Sequence, residues 1–164
     1  MIQRIVSGGQ TGVDRAALDA ALALGIPCGG WCPKGRKAED GPIPDRYPLA
    51  ETPSARYAQR TRWNVRDSDA TLILSPEPLE GGTALTLEVA RALNRPLFIA
   101  DPFAPNAARA VRAWLQRARP ATLNVAGPRE SQHPGIHARA LALLHEALAG
   151  LLAEPGRRAL DHQA

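Results

Sequence analysis

A glycine-rich stretch near the start of the chain has the composition of a phosphate-binding turn. Its members are Gly8, Gly9, Gln10, Thr11 and Gly12. Glycine lets the main chain approach a ligand closely, and the N–H groups at the start of a following helix bind anions. Asp14 would either favour the first helical turn electrostatically or hydrogen-bond a ligand hydroxyl. No Gly-Lys-Ser/Thr follows, so we predict a bound phosphate without nucleoside triphosphate hydrolysis. The alternative is a turn whose glycines serve geometry alone.

A second stretch further along the chain repeats this pattern at the start of another helix. Its polar and glycine members are Gly81, Gly82, Thr83, Thr86 and Glu88. The Thr83 hydroxyl would cap the helix, and Glu88 would bind a ligand amine or hydroxyl unless it is simply a solvated helix residue. Two glycine-rich helix starts facing one crevice favour a ligand with a phosphate at one end and polar atoms at the other.

Basic side chains near these stretches would add positive charge to the site. Lys34, Arg36 and Lys37 form one cluster, and Arg129 follows Asn124 near another strand end. We predict that Lys34, Arg36, Asn124 and Arg129 contact the ligand, because arginine grips phosphate with two donors. The alternatives are a solvated charge run for the cluster and an ion pair with a neighbouring glutamate for Arg129.

Alternating strand and helix patterns must position these residues. We predict strands over residues 2–6, 26–30, 70–75, 96–100 and 122–126, and helices over residues 13–24, 55–65, 83–93, 104–118 and within 131–152. Residues 32–53, rich in proline, glycine and charge, form a long functional loop in this interpretation. The alternation predicts a Rossmann-like, three-layer α/β/α fold with a mostly parallel sheet, a single domain of residues 1–153, and a tail of residues 154–164. Ligands of such sheets bind beyond the carboxyl ends of the strands.

The overall composition narrows the classes of partner. The chain has 164 residues, 45% hydrophobic and 22% charged, which suits one globular domain. Its net charge of +4 is explained either by a solvated arginine-rich surface or by a field that attracts anions. Only 4% of residues are aromatic and no basic block alternates with them, so we expect no nucleic-acid partner.

Targeting and metal signals are weak. The chain has no signal-peptide pattern and no apolar run that could span a bilayer, so we expect a cytoplasmic protein without membrane contact. The two cysteines, Cys28 and Cys32, are too few for a disulfide framework, and the four histidines lie far along the chain. We therefore predict ordinary packing or surface cysteines and no protein metal site.

Several ordered stretches resemble the putative molybdenum carrier family. They are residues 5–15, 30–41, 67–70, 81–86 and 123–131, together with Arg60-Thr61 and Asn64-Val65. The similarity runs over roughly residues 2–152. It implies membership of a Rossmann-like group that includes lysine-decarboxylase-like phosphoribohydrolases and the DNA-processing protein that loads recombinase. It also implies a homo-oligomer.

The resemblance further implies a ligand, molybdenum cofactor, which is a pterin with a phosphate and a dithiolene-bound metal oxide. Its own sulfurs hold the metal, so the resemblance calls for no metal ligand from the protein. A carrier of this kind stores, protects or transfers the cofactor, with molybdoenzymes as the recipients. A nucleoside monophosphate would suit the same predicted crevice.

Two other functions remain open at this level. The phosphoribohydrolase relatives carry Pro-Gly-Gly-x-Gly-Thr-x-x-Glu, and the glutamate of that motif corresponds to Glu88 here. However, Glu80 stands in place of the proline and Ala84 in place of the third glycine, which favours holding a ligand over cleaving one. If the chain is a hydrolase of nucleoside monophosphates, Glu88 is its catalytic candidate. The third possibility is a signalling protein that senses a nucleotide.

Overall fold

Five parallel strands form the central sheet of the molecule. In the computed structural model, which describes residues 1–153, they are β1 (Arg4–Val6), β2 (Cys28–Gly29), β5 (Ala70–Leu74), β6 (Leu97–Ala100) and β7 (Thr122–Ala126). Two short strands, β3 (Trp31–Cys32) and β4 (Ala50–Glu51), pair separately in parallel. The order across the main sheet is β2-β1-β7-β5-β6. All five residues of β5 are buried, as its continuous apolar run predicts for a parallel strand covered on both faces.

Helices cover both faces of this sheet. They are α1 (Val13–Leu24), α2 (Tyr57–Arg66), α3 (Gly81–Ala92), α4 (Ala107–Ala118) and α5 (Ile136–Ala153). The main apolar core unites α1, α4 and α5 with one face of the sheet, and a smaller core joins α2 to α3 on the other. The predicted three-layer, mostly parallel α/β/α fold is therefore confirmed. None of the helices in the described range combines the length and apolarity needed to cross a membrane.

The long segment between β3 and α2 is more ordered than its composition predicts. Residues 32–53, predicted as a plain loop, contain Cys32 of β3 and the whole of β4, which pairs with β3. Ile43 and Tyr47 are buried against Leu18 of α1, which fixes the segment to the body of the protein. We call residues 33–49 the covering segment, because it lies over the turn that follows β1.

Element ends differ slightly from the predicted ones. The last helix, predicted within residues 131–152, spans Ile136–Ala153, and α4 begins at Ala107 rather than 104. The predicted tail of residues 154–164 lies outside the described residues. The turns after β1, β5 and β7 all emerge at the carboxyl edge of neighbouring strands, which is where the sequence placed the candidate site.

Candidate functional site

The first glycine turn, residues 7–12, is packed against other parts of the protein. A Cβ atom at Gly9 would come within 2.4 Å of a Leu49 methyl carbon, and one at Gly12 within 2.3 Å of the Pro128 carbonyl oxygen. Both glycines also have positive φ angles, 78° and 80°. Their small size therefore makes room for the covering segment and for the turn after β7. At these two positions the space beside the turn is therefore filled by protein atoms and not open to a ligand.

Gly8 makes room for an arginine side chain. A Cβ at this position would lie 2.1 Å from Nη1 of Arg60, which projects from α2. Arg60 Nη1 donates a hydrogen bond of 3.2 Å to Oδ2 of Asp14, and the Gln10 amide donates to the same oxygen, also at 3.2 Å. The Asp14 side chain is only 3% exposed. Asp14 is thus engaged by the protein itself, and its role here is to hold Arg60.

Burial controls the electrostatics of this ion pair. Desolvation raises the pKa of Asp14, while the positive charge of Arg60 acts in the opposite direction. The Arg60 side chain is 11% exposed, and its Nε is buried without a hydrogen-bond partner in the part of the chain that is described. A buried guanidinium with an unused donor needs an acceptor. Arg60 is therefore the side chain around which the site is organised.

The second glycine turn is open, unlike the first. Gly81 and Gly82 are exposed, and a Cβ on Gly81 would meet no atom within 4 Å. The nearest atom to a Cβ on Gly82 would be Arg60 Nη2, at 4.0 Å. The first hydrogen bonds inside α3 are donated by the amides of Thr83 and Ala84. The Gly81 and Gly82 amides precede them and belong to the N–H groups that a helix leaves without internal partners.

Other predicted residues on α3 are less directly placed. The Thr86 hydroxyl donates to the Gly82 carbonyl at 2.9 Å, so it serves the helix itself. Thr83 is buried, with 5% exposure. Glu88 is exposed and lies almost two turns into α3. The geometry thus brings Gly81, Gly82 and Arg60 together, with Glu88 further from the helix start.

Three basic side chains converge on one aromatic ring at this edge of the sheet. Lys37 Nζ lies 4.7 Å from the centroid of the Tyr57 ring, Arg129 Cζ lies 4.6 Å from it, and Arg60 Cζ lies 5.9 Å from it. We call these four residues the Tyr57 cluster. Each cation is attracted to the ring quadrupole, but the cations repel one another. The cluster is therefore a concentrated positive region beside the start of α3.

The loops that carry these cations are fastened to the first glycine turn. The Thr11 hydroxyl and the Ser131 hydroxyl both donate to the carboxylate of Glu39. These hydrogen bonds lower the pKa of Glu39. The Gln10 side-chain amide donates to the Lys37 carbonyl at 2.8 Å, which positions the Lys37 backbone. Gln10 and Thr11, predicted as ligand contacts, thus hold the covering segment and the turn after β7 in place.

Three more residues predicted to contact the ligand are Arg36, Lys34 and Asn124, and two of them bond to other parts of the protein. The Arg36 guanidinium donates to four backbone carbonyls of the covering segment, including Ile43 at 3.0 Å and Tyr47 at 2.9 Å. Lys34 is exposed. Asn124 is buried in the middle of the sheet, where its amide donates to Thr71 Oγ1 at 3.4 Å. Arg36 and Asn124 therefore organise the protein around the site.

Sequence reasoning did not select Tyr57 or Arg60 as site residues. A signal was available, because helices between parallel strands begin at the carboxyl edge, and Tyr57 and Arg60 occupy the first turn of α2. Arg60 also belongs to one of the stretches that resemble the carrier family. What the sequence does not show is the close approach of Gly8, which brings the guanidinium to this edge.

The two cysteines carry free thiols, and the charge of Arg60 reaches one of them, Cys32. Cys28 is half-buried and Cys32 buried, and desolvation raises the pKa of each. A raised pKa keeps a thiol protonated and a poor metal ligand. Across residues 1–153, no group of three or more His, Cys, Asp or Glu side chains is arranged to hold a metal ion.

Comparison with known proteins gave two matches and one negative result. The profile of the Circularly permutated YpsA SLOG family matches residues 5–148. The fold is similar to the crystal structure of a putative molybdenum carrier protein from Syntrophus aciditrophicus SB, with a TM-score of 0.86 and 45% sequence identity. The match covers 90% of this chain and 95% of that protein. A search of curated proteins found no match.

Proposed function

Because this chain belongs to the Circularly permutated YpsA SLOG family, we propose that it is a carrier that binds a phosphate-bearing, nucleotide-like ligand. The ligand's phosphate lies at the start of α3, against the amides of Gly81 and Gly82, with Arg60 beside it. The first glycine turn supports this site from behind. The rest of the ligand extends along the crevice at the carboxyl edge of β1, β7 and β5.

The observation that carries this proposal is the open start of α3 next to the Arg60 guanidinium. Gly82 is exposed and its nearest neighbour is Arg60 Nη2. A helix N-terminus supplies free N–H groups and a partial positive charge, and a guanidinium adds strong charge-assisted donors. Together they fit the phosphate group of a ligand better than a neutral metabolite.

Molybdenum cofactor is the ligand we propose first. The similar solved structure carries the name molybdenum carrier, and this cofactor ends in a phosphate that fits the donors described above. It is cargo in this proposal, and its dithiolene sulfurs retain the molybdenum, so the protein needs to hold the phosphate and the pterin. The carrier then stores, protects or transfers the cofactor to a molybdoenzyme. We place this transfer in the cytoplasm and assign it to a homo-oligomer.

Native mass spectrometry of the protein as purified tests cargo and assembly together. We expect a co-purified small molecule with the mass of molybdopterin or of a nucleoside monophosphate, and an assembly mass above that of one chain. Protein that carries no such molecule, and that binds neither AMP nor molybdopterin when these are added, would overturn the proposal.

A substitution at the start of α3 tests the position of the phosphate. Gly82→Val fills the open space and should weaken binding of AMP or molybdopterin by tenfold or more, because one lost charge-assisted contact is worth about 1.4 kcal/mol or more. Ala110→Val, at an exposed position of α4, is the matched control for the effect of a β-branched residue on a helix. Folded Gly82→Val protein with wild-type affinity would remove α3 from the site.

The same samples separate a carrier from a phosphoribohydrolase. Incubation with nucleoside monophosphates, followed by chromatography for free base, should show no release by the carrier. Release of base that is lost in Glu88→Gln would establish the hydrolase alternative, in which Glu88 acts on the N-glycosidic bond.

A further inference from the structure

We propose that the Tyr57 cluster is a site for a tetrahedral dianion, either the phosphate monoester of a larger ligand or a free oxyanion such as molybdate. Monoanions of similar size, such as a phosphate diester, should bind much more weakly. The inference rests on the proposed function, because it specifies the charge and shape of the group that this edge of the protein accepts.

The charges of the cluster are only partly compensated by the protein. Arg60 is paired with Asp14. Within residues 1–153, neither Lys37 nor Arg129 has a carboxylate oxygen within 4.0 Å of its charged nitrogens. The charge of Arg129 acts across space on Glu39 and on Asp14, in the direction that lowers the pKa of each carboxyl, but Arg129 forms no direct ion pair with either within residues 1–153. Lys37 and Arg129 therefore keep their donors for direct contact with a ligand group of charge −2.

The geometry also holds these cations where they repel one another. Lys37 comes from the covering segment, Arg60 from α2 and Arg129 from the turn after β7, so three separate elements bring their charges to one ring. The Gln10 side chain fixes the backbone of Lys37, and Gln132 Oε1 accepts from the Arg129 amide at 3.0 Å. Cations assembled before binding lower the cost of ordering them around an anion.

The Tyr57 ring is engaged by these cations and is therefore a poor stacking platform for a nucleobase or pterin. The cationic groups of Arg129 and Lys37 lie 4.6 Å and 4.7 Å from its centroid, within the range of a cation–π contact. A base that stacked on this ring would compete with these contacts. The cluster therefore favours the charged end of a ligand, and the ring system belongs elsewhere in the crevice.

Arg60 links the cluster to the start of α3. Its Nη1 holds Asp14, its Nε is buried without a partner in the described range, and its Nη2 lies toward Gly82. A tetrahedral anion presents acceptors in several directions at once. One such group can therefore bind Arg60 Nη2 and the two neighbouring cations together.

Isothermal titration of the full chain with small anions tests this inference. Molybdate, sulfate, inorganic phosphate and AMP supply the dianionic group, while dimethyl phosphate and nitrate supply monoanions. We expect the dianions to bind at least tenfold more tightly than the monoanions. Equal affinities for dianions and monoanions would overturn the proposal.

Charge-removing variants test which residues act. Arg129→Gln and Lys37→Gln should each weaken dianion binding by tenfold or more. Arg62→Gln, an exposed arginine of the same helix as Arg60, is the matched control and should bind like wild type. Thermal unfolding confirms that each variant is folded, and Arg129→Lys tests whether charge alone restores binding if Arg129→Gln fails to fold. Wild-type affinity in folded Arg129→Gln and Lys37→Gln overturns the proposal.

Competition identifies the source of the dianion and separates the two proposals. If AMP displaces bound molybdate, and Gly82→Val weakens the binding of AMP, the shared site accepts a phosphate monoester. Molybdate binding that AMP does not displace, but that Arg129→Gln abolishes, indicates a free oxyanion. In that second result the dianion site stands while the nucleotide-like ligand fails. If, conversely, AMP binding is lost in Gly82→Val but unchanged in Arg129→Gln and Lys37→Gln, the proposed carrier function stands, and the proposal of a dianion site at the Tyr57 cluster is overturned.

Discussion

Replacing Gly8 by alanine should dislodge Arg60 and expose the physical reason for the first glycine turn. The added Cβ would lie 2.1 Å from Arg60 Nη1 and 2.9 Å from Asp14 Oδ2. Both distances are below van der Waals contact, so the guanidinium has to move. The φ angle of Gly8 is not in the left-handed region, which means that the backbone itself can accept alanine. The variant therefore isolates the steric contact.

The magnitude follows from the ion pair that the methyl group breaks. Removing one partner of a buried pair typically costs about 3–5 kcal/mol, because it leaves an uncompensated buried charge. Asp14 can take up a proton, since burial already raises its pKa, so we expect the lower end, about 3 kcal/mol. Arg60→Ala breaks the same pair and should cost about as much. In the double variant the two costs should overlap, with a coupling of roughly 2–3 kcal/mol.

Urea denaturation of wild type, Gly8→Ala, Arg60→Ala and the double variant at neutral pH gives the four free energies of unfolding of this double-mutant cycle. Gly82→Ala is the matched control, because its Cβ would have only Arg60 Nη2 nearby, at 4.0 Å, and it sits in the first turn of a helix. Its stability should change by less than about 1 kcal/mol, and in the stabilising direction. A Gly8→Ala protein as stable as wild type, or costs of Gly8→Ala and Arg60→Ala that simply add, would refute the steric argument.

Two further predictions concern the covering segment. Hydrogen bonds from Ser131 and then Thr11 lower the pKa of Glu39 in the folded protein. The stability that these bonds add is therefore present above the pKa of Glu39 in the unfolded chain, and it is lost as pH falls through the lower pKa of the folded protein. The melting temperature of Glu39→Gln should therefore lie below wild type at pH 6 and approach it below about pH 4, and a gap that is constant with pH would contradict this. Arg36→Ala removes four hydrogen bonds to carbonyls, at about 1 kcal/mol each, and should destabilise the protein by roughly 4 kcal/mol and open residues 33–49 to proteolysis. Unchanged urea and proteolysis profiles would show that Arg36 does not hold the segment.

Much of the fold could be predicted because its signals are local. The buried run at β5 and the alanine-rich repeat of α1 carry their hydrophobic periodicity in consecutive residues. The covering segment lacks such a period. Arg36 orders it from within, through hydrogen bonds to carbonyls 7 to 13 residues away, and Ile43 and Tyr47 attach it to the body of the protein by packing on Leu18 of α1, far away in sequence. Long-range contacts of this kind leave no repeating pattern for a sequence to display.

The candidate site shows the same division between local and distant information. Glycine at positions 8, 9 and 12 indicates close approach, and close approach is what the structure has, but the approaching groups are protein atoms. A glycine required by a ligand and a glycine required by a neighbouring side chain look identical in a sequence. Only the folded positions of Arg60, Leu49 and Pro128 distinguish them.

The two glycine turns therefore have different structural roles in one site, and each depends on the other. The first turn is closed, and through Gly8 and Asp14 it fixes the position of the Arg60 guanidinium. The second turn is open, and it needs that guanidinium because a helix start alone attracts anions only weakly. A substitution at Gly8 should thus weaken anion binding at Gly82 without touching the ligand. If Gly8→Ala lost stability but kept full affinity for molybdate and AMP, Arg60 would be a structural residue alone.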